Sequence, residues 1–112
     1  YHIIDWKSCS WGWDMKRKSE PMTTYQLTLY KKFFCEKHDV DPKMVETYFG
    51  LLKRTAKADN VEIFRVTSGP KKTVNATKVL TDACTLINRG VIIKNRGSCT
   101  RCPFNNTKDC TR

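Results

Sequence analysis

Two histidines, His2 and His38, and six cysteines, Cys9, Cys35, Cys84, Cys99, Cys102 and Cys110, are the residues of this 112-residue chain whose types and spacing could do chemistry. Cleaving a phosphodiester in the manner of a ribonuclease needs two convergent acid/base groups, usually histidines, and a cation for the developing charge. His2 and His38 are the only imidazoles, and His2 sits at a terminus that nothing in the sequence ties down. Cys99-Thr-Arg-Cys102, with Cys110 and His38, has the spacing of a zinc half-site. In an oxidising compartment the same residues read as half-cystines. No catalytic residue, metal or cofactor is therefore expected.

The string Cys35-Glu36-Lys37-His38-Asp39 resembles the Cys-x-x-His-Asp core of secreted calcium-dependent phospholipases. That resemblance implies a His38 that activates water and an Asp39 that helps bind calcium. Phe34 stands where that family has a second adjacent cysteine, and no glycine-rich calcium loop precedes the motif. Asp41-Pro42 also restarts the local structure three residues after His38.

Two Asn-x-Thr sequons, at Asn75 and Asn105, accompany the even number of cysteines. Together they point to a secreted, extracellular glycoprotein whose Cys9, Cys35, Cys84, Cys99, Cys102 and Cys110 are disulfide-bonded. No apolar run reaches the ~18 residues that would span a membrane. The segment from Tyr1 to Trp6 has neither the basic start nor the apolar stretch of a signal peptide, so the chain reads as a mature protein.

The elements that must position these residues read as helices. Asp41 as N-cap, Pro42 at the first position and Lys53, Arg54 and Lys57 near the negative end of the dipole predict a helix over 41–57, with Met44, Val45, Tyr48, Phe49, Leu51, Leu52 and Ala56 on one face. A second helix is predicted over 75–88, because Ala76, Val79, Leu80, Ala83, Cys84 and Ile87 form a stripe and Gly90 suits a C-terminal cap. Cys84 should then point inward. Thr24–His38 alternates like a strand at its start and steps like a helix later; helix is preferred, with Thr23 and Gln26 as a capping box. Val61–Val66 fits a short strand or another helical turn, and 68–72 a loop. Trp6, Trp11 and Trp13 are expected to cover a small core. The fold class expected is thus mainly α: a single disulfide-stapled helical domain over 1–112 with an irregular, cysteine-rich C-terminal segment.

Charge is the other strong signal, at a formal +10. Such a field speeds association with polyanions or acidic proteins and is sensitive to salt. Lys53, Arg54, Lys57, Lys71 and Lys72 are the first candidates for a binding surface, and Lys16, Arg17 and Lys18 the second. The expected partner is an extracellular protein with an acidic surface, with sulfated glycosaminoglycan as a further one. No nucleic-acid motif accompanies the basic residues. The function expected is a non-enzymatic effector or inhibitor of a complement or coagulation type host protein, of the kind found in saliva, venom or parasite secretions. A short helical cytokine-like ligand and a small hydrolase using His38 are the alternatives, and a carrier of small apolar ligands is a third class.

Overall fold

The computed structural model describes residues 1–110 and corrects the mainly helical expectation: the chain is mixed α/β, 46% helical and 20% strand, around a three-stranded sheet. In chain order the elements are strand β1 (His2–Cys9), helices α1 (Met15–Ser19) and α2 (Pro21–His38), a 3₁₀ turn (Pro42–Met44), strands β2 (Glu46–Lys53) and β3 (Val61–Val66), helix α3 (Pro70–Asn88) and a second 3₁₀ segment (Arg96–Arg101). The residues form two compact units, one ending at Thr81 and the other beginning at Asp82.

The largest departure lies in the predicted 41–57 helix, which is instead a turn leading into the central strand. Asp41 does accept the Lys43 N–H, at 2.8 Å, but the turn it caps ends at Met44 and Val45 is already extended. From there Thr47, Tyr48 and Phe49 favour a pleated surface, and Gly50 would cost a helix interior about 1 kcal/mol. Val45, Thr47, Phe49 and Leu51 are buried at a period of two. Tyr48 between them and Leu52 after them made the same run satisfy helical spacing as well.

Around this strand the sheet runs β1-β2-β3, with β1 parallel and β3 antiparallel to β2. The N-terminus is tied in rather than loose: the Tyr1 ammonium donates to the Met44 carbonyl at 2.7 Å, and the Glu46 N–H to the Tyr1 carbonyl. The register sets Ile3, Thr47 and Val66 in one row and Asp5, Phe49 and Phe64 in the next. These rows carry the core, in which Trp13, Leu27, Phe49, Leu51 and Val66 form one cluster. Trp13 stands edge-on to Phe49 at 5.2 Å between ring centres. Asp5 and Lys7, paired at 3.1 Å, put charge on the inward side of the edge strand, a device that discourages pairing with another chain.

Helix α2 agrees with the expectation, and half of its buried residues are threonines: Thr24, Leu27, Thr28 and Cys35 are buried and Lys31 is half-buried. Thr24 and Thr28 donate back to the carbonyls of Glu20 and Thr24, which lets the hydroxyls be buried with a partner. The helix begins at Pro21, so Thr23 hydrogen-bonds Glu20 and makes no capping box with Gln26. Val61–Val66 is a strand. Helix α3 starts at Pro70, five residues before the expected bound, so Lys71 and Lys72 lie in its first turn and not in a loop. Gly90 caps that helix at φ 64°, with the Val91 N–H reaching the Leu86 carbonyl.

The staple is also corrected. All six cysteines are free thiols: Cys35 is buried, Cys9, Cys99 and Cys110 half-buried, and Cys84 and Cys102 exposed. Cys84 therefore does not point into the core.

A candidate docking face on the sheet

The side of the sheet opposite α2 is solvent-facing, and the register arranges it in rows. Ile4, Tyr48 and Arg65 make one row; Trp6, Gly50 and Ile63 the next; Ser8, Leu52 and Val61 the third. Ile4, Trp6, Leu52, Val61 and Ile63 are all between 41% and 52% exposed. An apolar surface shared by three adjacent strands is larger than the scattered exposure ordinary surfaces show. Gly50 is the reason the indole can lie flat across the middle. A Cβ there would fall 2.6 Å from Cζ3 and 2.9 Å from Cδ2 of Trp6. An aromatic ring laid over a strand glycine covers backbone that would otherwise be bare.

One end of this face carries a polar cluster that sequence reasoning missed. Tyr48 donates its hydroxyl to Glu46 Oε2 at 2.5 Å, Arg65 Nη2 lies 2.8 Å from Glu46 Oε1, and His2 Nε2 is 3.8 Å from Oε2. The Tyr48 hydrogen bond, aided by Arg65 and His2 against a smaller desolvation, holds the Glu46 carboxyl below the usual glutamate range. The same hydrogen bond pushes the Tyr48 phenol up. Glu46 and Tyr48 are two residues apart on β2, but His2 and Arg65 come from β1 and β3, so only the strand register could have revealed the cluster.

The cluster gives a pH prediction with a definite sign. Glu46 is depressed in the folded protein, so its contribution to stability is present above the unfolded value and lost as pH falls below about 4.3. Tyr48 is raised, so its contribution is present below about 10 and lost as pH rises further. Thermal melts of wild type and Glu46→Gln should therefore diverge at neutral pH and converge toward pH ~3. Parallel curves over that range would remove the cluster from the stability of the fold.

The predicted cations separate into two groups. Lys18 and Lys53 both pair with Glu62, and Lys18 Nζ also stands 5.0 Å from the Phe64 ring. Arg17 stacks over Trp13 at 4.6 Å. Lys16, Arg54 and Lys57 are exposed, the last two in the β2–β3 loop. Lys71 and Lys72 follow β3 at the other end of the sheet, roughly 25 Å away along strands that rise ~3.3 Å per residue. There Lys72 donates to the Thr67 carbonyl at 3.1 Å, and burial lowers its pKa. They flank a cleft of about 510 Å³ with Tyr25, Thr67 and Asn75. The eight residues thus do not form one patch.

His38 ends α2 with its ring 4.7 Å from Phe34. In the second unit, Cys99, Cys102 and Cys110 line a cleft of about 220 Å³ with Phe104 and Asp109. Among the described residues no three His, Cys, Asp or Glu side chains are placed to hold a metal ion. Of the sequon asparagines, Asn75 is exposed on α3 and Asn105 half-buried in the tail. No described helix is long and apolar enough to cross a membrane. Comparison with protein-family models, curated proteins and solved structures gives no match.

Proposed function

We propose that the chain is a secreted, non-enzymatic effector that seats the outer face of its sheet on an extracellular protein with an acidic surface. The observation that carries this reading is the exposed apolar face of Ile4, Trp6, Leu52, Val61 and Ile63, with Trp6 at its centre. Tryptophan is the residue most enriched at energetic centres of interfaces, where it supplies rigid area at little entropy. The formal +10 favours an acidic partner and opposes a second copy of the same chain in that place. Arg54 and Lys57 on the hairpin, Arg65 on β3 and Lys16 on α1 would steer the encounter and add sulfated glycosaminoglycan as a secondary contact. Complement and coagulation proteins are the target class this charge suits in an extracellular setting, which the two Asn-x-Thr sequons support. The cytokine-like reading rested on a mainly helical fold and is not carried forward, and nothing beside His38 favours a hydrolase.

The test is capture from plasma at physiological salt by the immobilised protein, identification of the bound protein, and titration of that partner. Trp6→Ala should weaken the purified interaction by on the order of 30-fold or more, as loss of a central anchor does. Its melting temperature should fall by a few degrees, because the unexposed half of the indole covers Gly50, so affinity is compared under conditions where the variant is folded. An identified partner that binds Trp6→Ala and Ile63→Asp as tightly as wild type would remove the sheet face from the contact.

A further inference from the structure

A second site lies on the other side of the first unit. A groove of about 440 Å³ runs between α2 and the start of α3, walled by Cys35, Pro42, Pro70 and Val74, with Lys31, Lys32, Glu36, Ser68 and Thr73 as its polar lining. That volume is within the range of roughly 300–1,000 Å³ typical of small-ligand sites. Its two cations are not equivalent. Lys32 is paired with Glu36 one turn along and sits 5.0 Å over the Phe33 ring. Lys31 has no carboxylate partner among the described residues, although it stands half-buried on the inward stripe of α2 with Leu27, Thr28 and Cys35. It also borders a neighbouring cleft of about 250 Å³ lined by Arg65, Ser68, Gly69 and Glu46, whose carboxylate is taken up by Arg65 and Tyr48. Lys31 thus stands at the border of the two clefts.

We propose that this groove binds a single-chain amphiphile with an anionic head, its tail along Pro42, Pro70 and Val74 and its head on Lys31. An ammonium taken partly out of water is favoured by an opposite charge brought to it, and the alkyl stem of the lysine extends the apolar wall up to that charge. The overall positive charge draws such anions to the protein. A neutral apolar ligand would fill the trough and leave Lys31 as it is. The head chemistry shared by a fatty acid and a lysophosphatidate is what Lys31 reads, and the two differ only in carboxylate or phosphate.

Fluorescence titration with cis-parinaric acid tests this on the intact chain. Saturable binding at one site per chain is expected, with displacement by oleate, by lysophosphatidate or by both; whichever competes identifies the head group. Oleyl alcohol should compete at least tenfold more weakly than the anions. Lys31→Met, which keeps the stem and removes the charge, should weaken the acid about tenfold and leave the alcohol unchanged. Val74→Trp, at an exposed helix position that should not disturb folding, should fill the trough and weaken both. Wild-type circular dichroism in both variants establishes that they are folded. The proposal is overturned by absence of saturable binding, by equal competition from the alcohol, or by full affinity in the two folded variants. None of these results bears on the sheet face, because Trp6 is outside the groove.

Discussion

Phe49→Ala should leave the protein largely unfolded near physiological temperature. Phe49 is fully buried at the middle of the central strand, with Trp13 at 5.2 Å and Phe64 at 5.7 Å between ring centres. Among the described residues, the buried cluster it anchors holds Trp13, Leu27, Leu51 and Val66 besides, with Ile3, Cys9 and Phe64 packed against it. Removing a buried phenyl ring costs about 3–5 kcal/mol through lost transfer energy and the cavity left behind. Small domains draw on the low end of the ~5–15 kcal/mol that native proteins have, so this one change consumes most of the margin. Urea denaturation followed by circular dichroism measures it, with Ile63→Ala on the exposed side of β3 as the comparison. Ile63→Ala should cost less than about 1 kcal/mol, because half its side chain is already in water. A Phe49→Ala midpoint close to that of Ile63→Ala would mean that the core is not where the register puts it.

The contrast between those two residues shows how much could be read from the chain alone. Both lie in runs of aromatic and β-branched residues, and only the sheet register assigns one inward and the other outward. Helix α3 was legible because its apolar spacing and its terminal glycine, Gly90, agree; α2 was legible from its later helical spacing alone, since it has no side-chain cap and ends at Asp39 in the left-handed region. The central strand was not. A strand covered on one face and overlain by Trp6 on the other loses its polar alternation, so Glu46–Lys53 satisfies helical and strand periods alike. Strand β1 was missed for another reason: its parallel partner is more than forty residues away, and no turn marks the pairing. The docking face inherits both difficulties, since Trp6, Gly50 and Ile63 become neighbours only once β1 and β3 flank β2. The groove beside Lys31 was hidden differently. Buried threonines on α2 look solvent-facing in sequence, and exposed Tyr30 and Phe33 look buried.

The same distinction separates cations that hold the fold from cations left for partners, and charge reversal should expose it. Lys53 and Lys18 converge on Glu62, and their side chains are only 16% and 21% exposed. Lys53→Glu would set a second carboxylate against Glu62 and leave Lys18 alone to offset both. Converting an attractive, partly buried pair into a repulsive one should cost roughly 2–3 kcal/mol, below the 3–5 kcal/mol range for stripping a partner from a fully buried charge. Lys53→Met keeps the Lys18–Glu62 pair and an alkyl stem along Gly12, so it should cost under about 1 kcal/mol. Arg54→Glu with Lys57→Glu, both in the exposed hairpin loop, should stay within about 0.5 kcal/mol of wild type. Thermal melts at low and high salt give the reading. Added salt should return part of the Lys53→Glu loss, since screening weakens like-charge repulsion, and should barely move the loop variant. A reversal of all three residues together would therefore lower partner binding through unfolding as well as through charge. Arg54→Glu/Lys57→Glu isolates the second effect in a folded protein. If Lys53→Glu melts with wild type at both salt concentrations, the Glu62 triad contributes nothing and Lys53 rejoins the cations available for binding.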